Sequence, residues 1–365
     1  MSGVWGEFLK ISIFGESHGK CVGIIVNGLP AGLELDLAFI RRELDRRAPG
    51  KSFATARQEE DEFEIISGYF NNRTTGSPLS FVIRNNDQHS RDYEEIKNIM
   101  RPGHADFTAW SKYNGFHDYR GGGHFSGRLT APLVLTGAIA KQILMKKGIV
   151  IGGHILSIGN IADTQIDPVN PDPELLLAVR TRLFPVISEE QGKLMQESII
   201  QAKTEQDSLG GVVETAIVGL PAGIGSPFFD SVESKLAHLL FSIPAVKGVE
   251  FGAGFAITEM RGAVANDEFR LLEGQVRTAT NHSGGIQGGI TNGMPVIFRT
   301  AFKPTPSIAR GQKTVDISTM QEVEIRIQGR HDPCIVPRAV PVVEAAAAIA
   351  LLEMMIEKDG TLWMI

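Results

Sequence analysis

Gly28-Leu-Pro-Ala-Gly32 recurs, residue for residue, as Gly219-Leu-Pro-Ala-Gly223. Each copy follows an apolar strand-like run, Val22 to Val26 in the first case and Val212 to Val218 in the second, and each precedes an amphipathic helical pattern. A shared turn in a shared order of elements predicts two related halves, residues 1–160 and 205–357, within one domain spanning 1–365. A pseudo-symmetric domain of this kind brings loops from distant parts of the chain to one cleft.

Moving away from these turns, Phe8 to Phe14 alternates apolar and polar residues and reads as a strand. Asp36 is placed to cap a helix whose apolar face is Leu37, Ile40 and Leu44; Arg41, Arg42 and Arg46 read as its solvated face and C-terminal cap. Residues 51–62 lack periodicity and read as a mobile loop. Glu64 to Phe70 and Leu79 to Arg84 read as paired strands, and Ala131 to Lys147 as a mostly apolar helix. Strands follow at Ile149 to Ile158, Val296 to Phe302 and Val323 to Ile327, with helices at Val232 to Phe241 and in the alanine-rich stretch 341–357. The polar, helical region Asp163 to Asp207 reads as scaffold or an oligomer contact. Strands and helices alternate without long βαβ regularity, so the fold class expected is α+β in layers.

Composition narrows the function. The chain has 365 residues, 42% hydrophobic and 21% charged, with a net charge of −6, which suits a globular protein and disfavours a general nucleic-acid binder. Cys21 and Cys334 lie far apart, so neither a disulfide framework nor metal-ligand spacing is expected, and a reduced, cytoplasmic protein is the economical reading. No signal peptide and no run of about 20 apolar residues stands out, so no membrane partner is expected.

The polar chemistry concentrates in Arg101 to Ala131, RPGHADFTAWSKYNGFHDYRGGGHFSGRLTA. Arginines, histidines, hydroxyls and a glycine run precede a helix, the profile of a site for a small anion. Further candidate loops are Gly15-Glu-Ser-His-Gly19, the glycine-dense Asn281 to Gly293, and Lys303-Pro-Thr-Pro-Ser307. No GxxxxGK[ST] or HExxH occurs, which disfavours P-loop phosphoryl transfer and zinc proteolysis, and Gly252-Ala-Gly-Phe-Ala-Ile lacks the last glycine of a dinucleotide fingerprint, which disfavours a Rossmann dehydrogenase.

Six segments together resemble the signatures of the chorismate synthase family: Phe14-Gly-Glu-Ser-His-Gly19, Arg101-Pro-Gly-His-Ala-Asp106, Tyr119-Arg-Gly-Gly-Gly123, Asn281-His-Ser-Gly-Gly-Ile-Gln-Gly-Gly289, Lys303-Pro-Thr-Pro-Ser307 and Gly329-Arg-His-Asp-Pro-Cys334. They occur in the family's order and cover the chain nearly end to end. The resemblance implies a lyase that eliminates phosphate from 5-enolpyruvylshikimate 3-phosphate to give chorismate, the last common step towards the aromatic amino acids. It implies reduced FMN (FMNH2) as cofactor without net redox change. It also implies a β-α-β sandwich, with antiparallel sheets enclosing central helices, and a homotetramer. Family members differ in reducing the flavin with NADPH or receiving it from an external flavin reductase, and the missing fingerprint favours the latter.

By the same resemblance, substrate anions fall to Arg47, Arg101, Arg128, Arg338 and Lys303. His18 corresponds to the histidine that protonates the flavin, and His104 to the one beside the leaving phosphate. Asp332, Ser17 and Ser126 match residues that assist removal of the C6 proton. Flavin contacts are expected from His124, Phe125, Ser126, Ala245, Gly288, Lys303, Pro304, Thr305, Pro306, Ser307 and Arg330. His89, His117, His154 and His238 read as structural or surface residues, and His331 as a packed neighbour of the site.

The chain departs from the family pattern at Gly123-His-Phe-Ser-Gly-Arg-Leu-Thr130, where His124 replaces an arginine. Phe53, Ala48 and Pro244 are further departures, so anion affinity is expected to lean on Arg47, Arg57 and Lys51. These departures motivate the alternative reading, a homologue that binds flavin or an anionic metabolite without turnover.

Overall fold

The computed structural model describes residues 3–48, 61–86, 93–94, 96–327 and 332–365. Lys51, Phe53, Arg57, Arg330 and His331 lie outside them, as does most of the 51–62 loop.

Two five-stranded antiparallel sheets enclose two central helices. In spatial order the first sheet runs Val4–Trp5, Lys10–Gly15, Cys21–Asn27, Leu79–Arg84, Phe63–Ser67. The second runs Ile161–Ala162, Val150–Ile158, Gly211–Val218, Val296–Phe302, Val246–Phe251. From the second position inward the two orders match strand for strand, which is the internal pseudo-two-fold; the outer strand Val4–Trp5 precedes its neighbour in the chain, whereas Ile161–Ala162 follows its own.

The repeated turns match in their hydrogen bonds as well. In the first, Thr74 Oγ1 accepts from the Leu33 N–H at 3.0 Å and donates to the Pro30 carbonyl at 2.6 Å. In the second, Thr291 Oγ1 accepts from Ile224 N–H at 2.9 Å and donates to Pro221 at 2.7 Å. Backbone bonds between Gly32 and Thr74 and between Gly223 and Thr291 repeat the pattern, both at 2.8 Å. One threonine thus closes each Gly-Leu-Pro-Ala-Gly turn from inside, satisfying groups that would otherwise be buried unpaired. The strand Val150–Ile158, counted with the first half from sequence, pairs with Gly211–Val218 in the second sheet. Its register partner, rather than its place in the chain, assigns it.

The central helices are Thr130–Met145, against the first sheet, and Val336–Asp359, against the second. Each is apolar nearly all round, as a helix buried on every side must be. They cross closely: a Cβ added to Gly137 would stand 2.2 Å from that of Ala345, so the glycine and the alanine run 345–348 let the backbones approach. Val336–Asp359 starts before the expected 341, with Pro337 in its first turn, where a missing N–H costs nothing. It is long and apolar enough to cross a membrane, contrary to the expectation that no segment would be, but the qualifying stretch is wholly buried between the sheets.

The expected solvated face of Leu37–Arg47 is only partly so. Arg41 and Arg42 pair with Asp45 and Asp36 near solvent. Arg46 instead points into the core, bonding Glu344 at 2.6 and 2.9 Å beside Glu43, while Lys141 pairs with both acids and Arg180 with Glu43. Burial pulls the Arg46 guanidinium down, but Glu344 and Glu43 outweigh it and raise it above its ordinary value. Helical spacing could not show that the central helix carries a glutamate opposite Arg46.

Candidate active site

Both central helices begin at the same place. Their N-terminal residues Arg128, Leu129 and Thr130 on one side, and Ile335, Arg338 and Ala339 on the other, line a cleft of about 1100 Å³. Two helix N-termini facing one cavity give it a positive field. The remaining walls come from the N-terminal strands (Trp5, Ile11, Ile13), the Arg101–Arg128 stretch, and second-sheet loops around Ile243–Lys247 and Phe302–Ser307.

The glycine run underlies the cleft, with Gly121 on its wall. Gly121, Gly122 and Gly123 have φ of 59°, 91° and 53°, a region that penalises any side chain. A Cβ on Gly121 would lie 2.2 Å from His18 Cδ2, and one on Gly122 3.0 Å from His104 Cε1. The two histidines therefore stand beside successive glycines, brought together from positions 86 residues apart in sequence. His18 is buried and packs edge-on against Tyr93, with ring centroids 5.1 Å apart. Ser17 lies behind the run, bonded to the Gly123 and Arg120 carbonyls, and is not part of the cleft wall.

Among the described residues, every arginine expected to bind anions is held by a carboxylate. Arg47 and Arg128 both bind the buried Asp61, with Arg47 Nε at 3.1 Å from Oδ2. Burial alone would raise the Asp61 carboxyl; the two guanidiniums outweigh it and hold it below its usual value. Arg101 is clamped by Asp106, and Arg338 by Asp332, with Arg338 Nε also bonded to the Arg47 carbonyl at 2.9 Å. Arg128 Nε adds a bond to Asn85 at 3.0 Å. These carboxylates align long side chains that would otherwise be mobile.

Of the expected flavin contacts, His124, Phe125, Ser126, Ala245, Lys303, Thr305, Pro306 and Ser307 line the cleft. His124, the departure from the family pattern, has Nδ1 2.9 Å from the Gly15 carbonyl, so it is tied to the first sheet. Ala245 has φ of 74°, a strained conformation for a non-glycine residue, and its carbonyl accepts from Lys303 N at 3.0 Å. Lys303 Nζ donates to the Gly103 carbonyl, bridging the two loops. Pro304 is not on the cleft wall. Gly288 lies away from it, in the turn between Ile286–Gln287 and Ile290–Thr291.

Sequence reasoning missed Asp61, Asn85 and Tyr93, and gave Asp106 no role. One acid among many in a charged loop carries no local signal, whereas Asp106 sat inside a quoted signature. His238, read as structural or surface, also lines the cleft, edge-on to Trp5 at 6.4 Å.

The family model for chorismate synthase matches residues 9–356. The chain belongs to the chorismate synthase family. It is 46% identical over 353 residues to the chorismate synthase of Thermococcus kodakarensis, covering 97% of each chain. With that of Thermococcus gammatolerans it shares 48% over 355 residues, 97% of this chain and 98% of the other. A crystal structure of a chorismate synthase superposes with a TM-score of 0.77 at 32% identity, over 98% of this chain and 94% of that one. Membership makes the chain an enzyme of the lyase class with a mixed α+β fold.

Proposed function

We propose that this cleft binds 5-enolpyruvylshikimate 3-phosphate beside reduced FMN and eliminates phosphate to form chorismate. The observation that carries the reading is the convergence of His18 and His104, across Gly121 and Gly122, with four aligned guanidiniums at one cleft. In the reaction the C3–O bond to phosphate breaks, the C6–H bond breaks, and the electrons of the latter form the new diene. No net redox change results.

The residues present fit a flavin. Its ring system needs an apolar wall, which Trp5, Ile11, Ile13 and Ile243 supply, and its polar tail needs donors. Thr305 Oγ1 is buried with no hydrogen-bond partner among the described residues, between the stiffening Pro304 and Pro306. At about 1100 Å³ the cleft exceeds what one small ligand of ordinary size fills, as a paired cofactor and substrate require. The chemistry a bound reduced flavin would supply is electron density that promotes departure of phosphate.

The protein's part is binding and proton handling. Arg47, Arg101, Arg128, Arg338 and Lys303 neutralise a substrate with two carboxylates and a phosphate, helped by the two helix N-termini. His104 gives a proton to the leaving phosphate, and His18 would hold the proton offered to a bound flavin. By resemblance, Asp332, anchored by Arg338, and Ser126, whose Oγ accepts from Arg128 N at 3.3 Å, would assist removal of the C6 proton. Ser17 supports the glycine run from behind. Gly288 and Arg330 remain assigned to the flavin by resemblance alone. The same reading carries one domain over 1–365, a cytoplasmic homotetramer and flavin reduced elsewhere.

An anaerobic assay with photoreduced FMN tests it: release of phosphate together with chorismate is expected. Intact flavin binding with no phosphate release would overturn the reading in favour of a binding homologue without turnover.

A further inference from the structure

Asp106 closes the signature Arg101-Pro-Gly-His-Ala-Asp106, and its acceptor positions are filled. Oδ2 accepts from the Arg101 backbone N–H at 3.1 Å and from Arg101 Nε at 2.7 Å. Oδ1 accepts from Arg101 Nη2 at 2.7 Å and from His104 Nδ1 at 2.8 Å. Two bonds to each oxygen match the full capacity of an ionised carboxylate. Burial acts to raise this carboxyl, but the bonds from His104 and Arg101 prevail and keep it ionised well below the usual range.

The geometry also decides where the histidine carries its proton. Arg101 Nη2 stands 3.3 Å from His104 Nδ1, and a guanidinium has only hydrogens to offer. If Nδ1 accepted from it, a bare nitrogen lone pair would face Asp106 Oδ1 at 2.8 Å. The shorter contact therefore requires the hydrogen on Nδ1, and the Arg101 approach follows from both groups sharing one oxygen. In the neutral ring Nε2 then holds the lone pair, on the edge beside Gly122, and it is this atom that must take up a proton before the ring can pass one to a leaving phosphate.

We propose that Asp106 is a positioning residue that fixes His104, a residue of the cleft wall, in the Nδ1–H tautomer, leaves Nε2 as the atom that exchanges the proton, and binds Arg101 into the same rigid unit. This rests on the reading that His104 moves a proton during elimination. The forked face of Arg101, formed by Nε and Nη2, is spent on Asp106. Arg101 thus meets substrate less as a bidentate clamp than as the charge that keeps the dyad aligned.

Imidazole ¹⁵N spectra of the wild-type chain at alkaline pH test the tautomer directly, with His104 assigned by its loss in His104→Gln. Nδ1–H is expected; Nε2–H at His104 would overturn the proposal without reference to activity. Asp106→Asn keeps the shape but lets an amide NH₂ face Nδ1, so His104 should shift towards Nε2–H. Its kcat should fall by about 100-fold, with KM changing less than about threefold. In a His104→Ala background the same substitution should lower kcat by far less than about 100-fold, because only its hold on Arg101 remains. Additive losses in that cycle, or an unchanged tautomer in Asp106→Asn, would refute the positioning role. A wild-type chain with Nδ1–H at His104 but no elimination would instead refute the function and leave the positioning intact.

Discussion

Asp61 shows how a single buried carboxylate can organise an anion site. It adopts a left-handed backbone conformation, φ 47°, and joins Arg47 from one helix to Arg128 at the head of another. Removing its charge leaves two guanidiniums underground with reduced compensation, which is far more costly than losing a surface pair. Asp61→Asn should destabilise the fold by about 3–5 kcal/mol at neutral pH, read from urea unfolding. The sign of the pH dependence follows from the lowered carboxyl. Its stabilisation is complete above the unfolded-state value near pH ~4 and disappears as pH falls through the folded-state value, so wild type and variant should converge in acid. A constant difference down to the lowest pH would assign the loss to packing rather than charge.

Val150–Ile158 and Gly211–Val218 pair with His154 opposite Glu214, and this pairing is where the second sheet grips its outer layer. His154 lies 3.1 Å from both Asp163 and Glu214. Those acids also accept from Ile187, Ser188 and Ile166 N–H groups at 2.6–2.9 Å, tying the Asp163–Ser188 segment to the sheet. Burial lowers the imidazole, but hydrogen bonds and charge from the two carboxylates override it and raise its titration above the ordinary value. A raised histidine stabilises fully below its unfolded value, about pH 6.5, and the contribution is lost as pH rises through the folded value. Melting curves should show His154→Gln less stable than wild type by about 2 kcal/mol in mild acid, with the gap narrowing towards alkaline pH. A gap that widens with pH would mean the ring is buried neutral. Sequence periodicity located both strands and the helices around them, because alternation and helical spacing are properties of neighbouring residues. It left His154 as a generic structural residue, since its partners lie 9 and 60 positions away.

The pseudo-two-fold governs the molecule as a unit, by setting two equivalent sheets around two helices whose N-termini meet at one cleft. If the halves are equivalent in energy as well as shape, Thr74→Val and Thr291→Val should each cost about 1–3 kcal/mol, having each removed one hydroxyl that accepts and donates inside a buried turn. The sites share no partner, so the double variant should show the sum to within about 0.5 kcal/mol. A markedly unequal pair, checked by chemical unfolding, would show that one turn is held mainly by its surroundings.

The repeated turn, the apolar pattern of the central helices and the ordered signature segments were all legible in the amino-acid sequence, because each depends on identities close together along the chain. That was enough for the fold class, the family and most of the polar side chains that line the cleft, but not for its apolar wall. The partners of those residues came only with packing. Asp61 between two arginines, Asp106 locking a histidine, and Arg46 buried against Glu344 are choices among many chemically similar side chains. Such choices depend on distance in space across 298 residues in the last case, and a charged side chain carries no mark in sequence of whether water or a buried counter-charge will meet it.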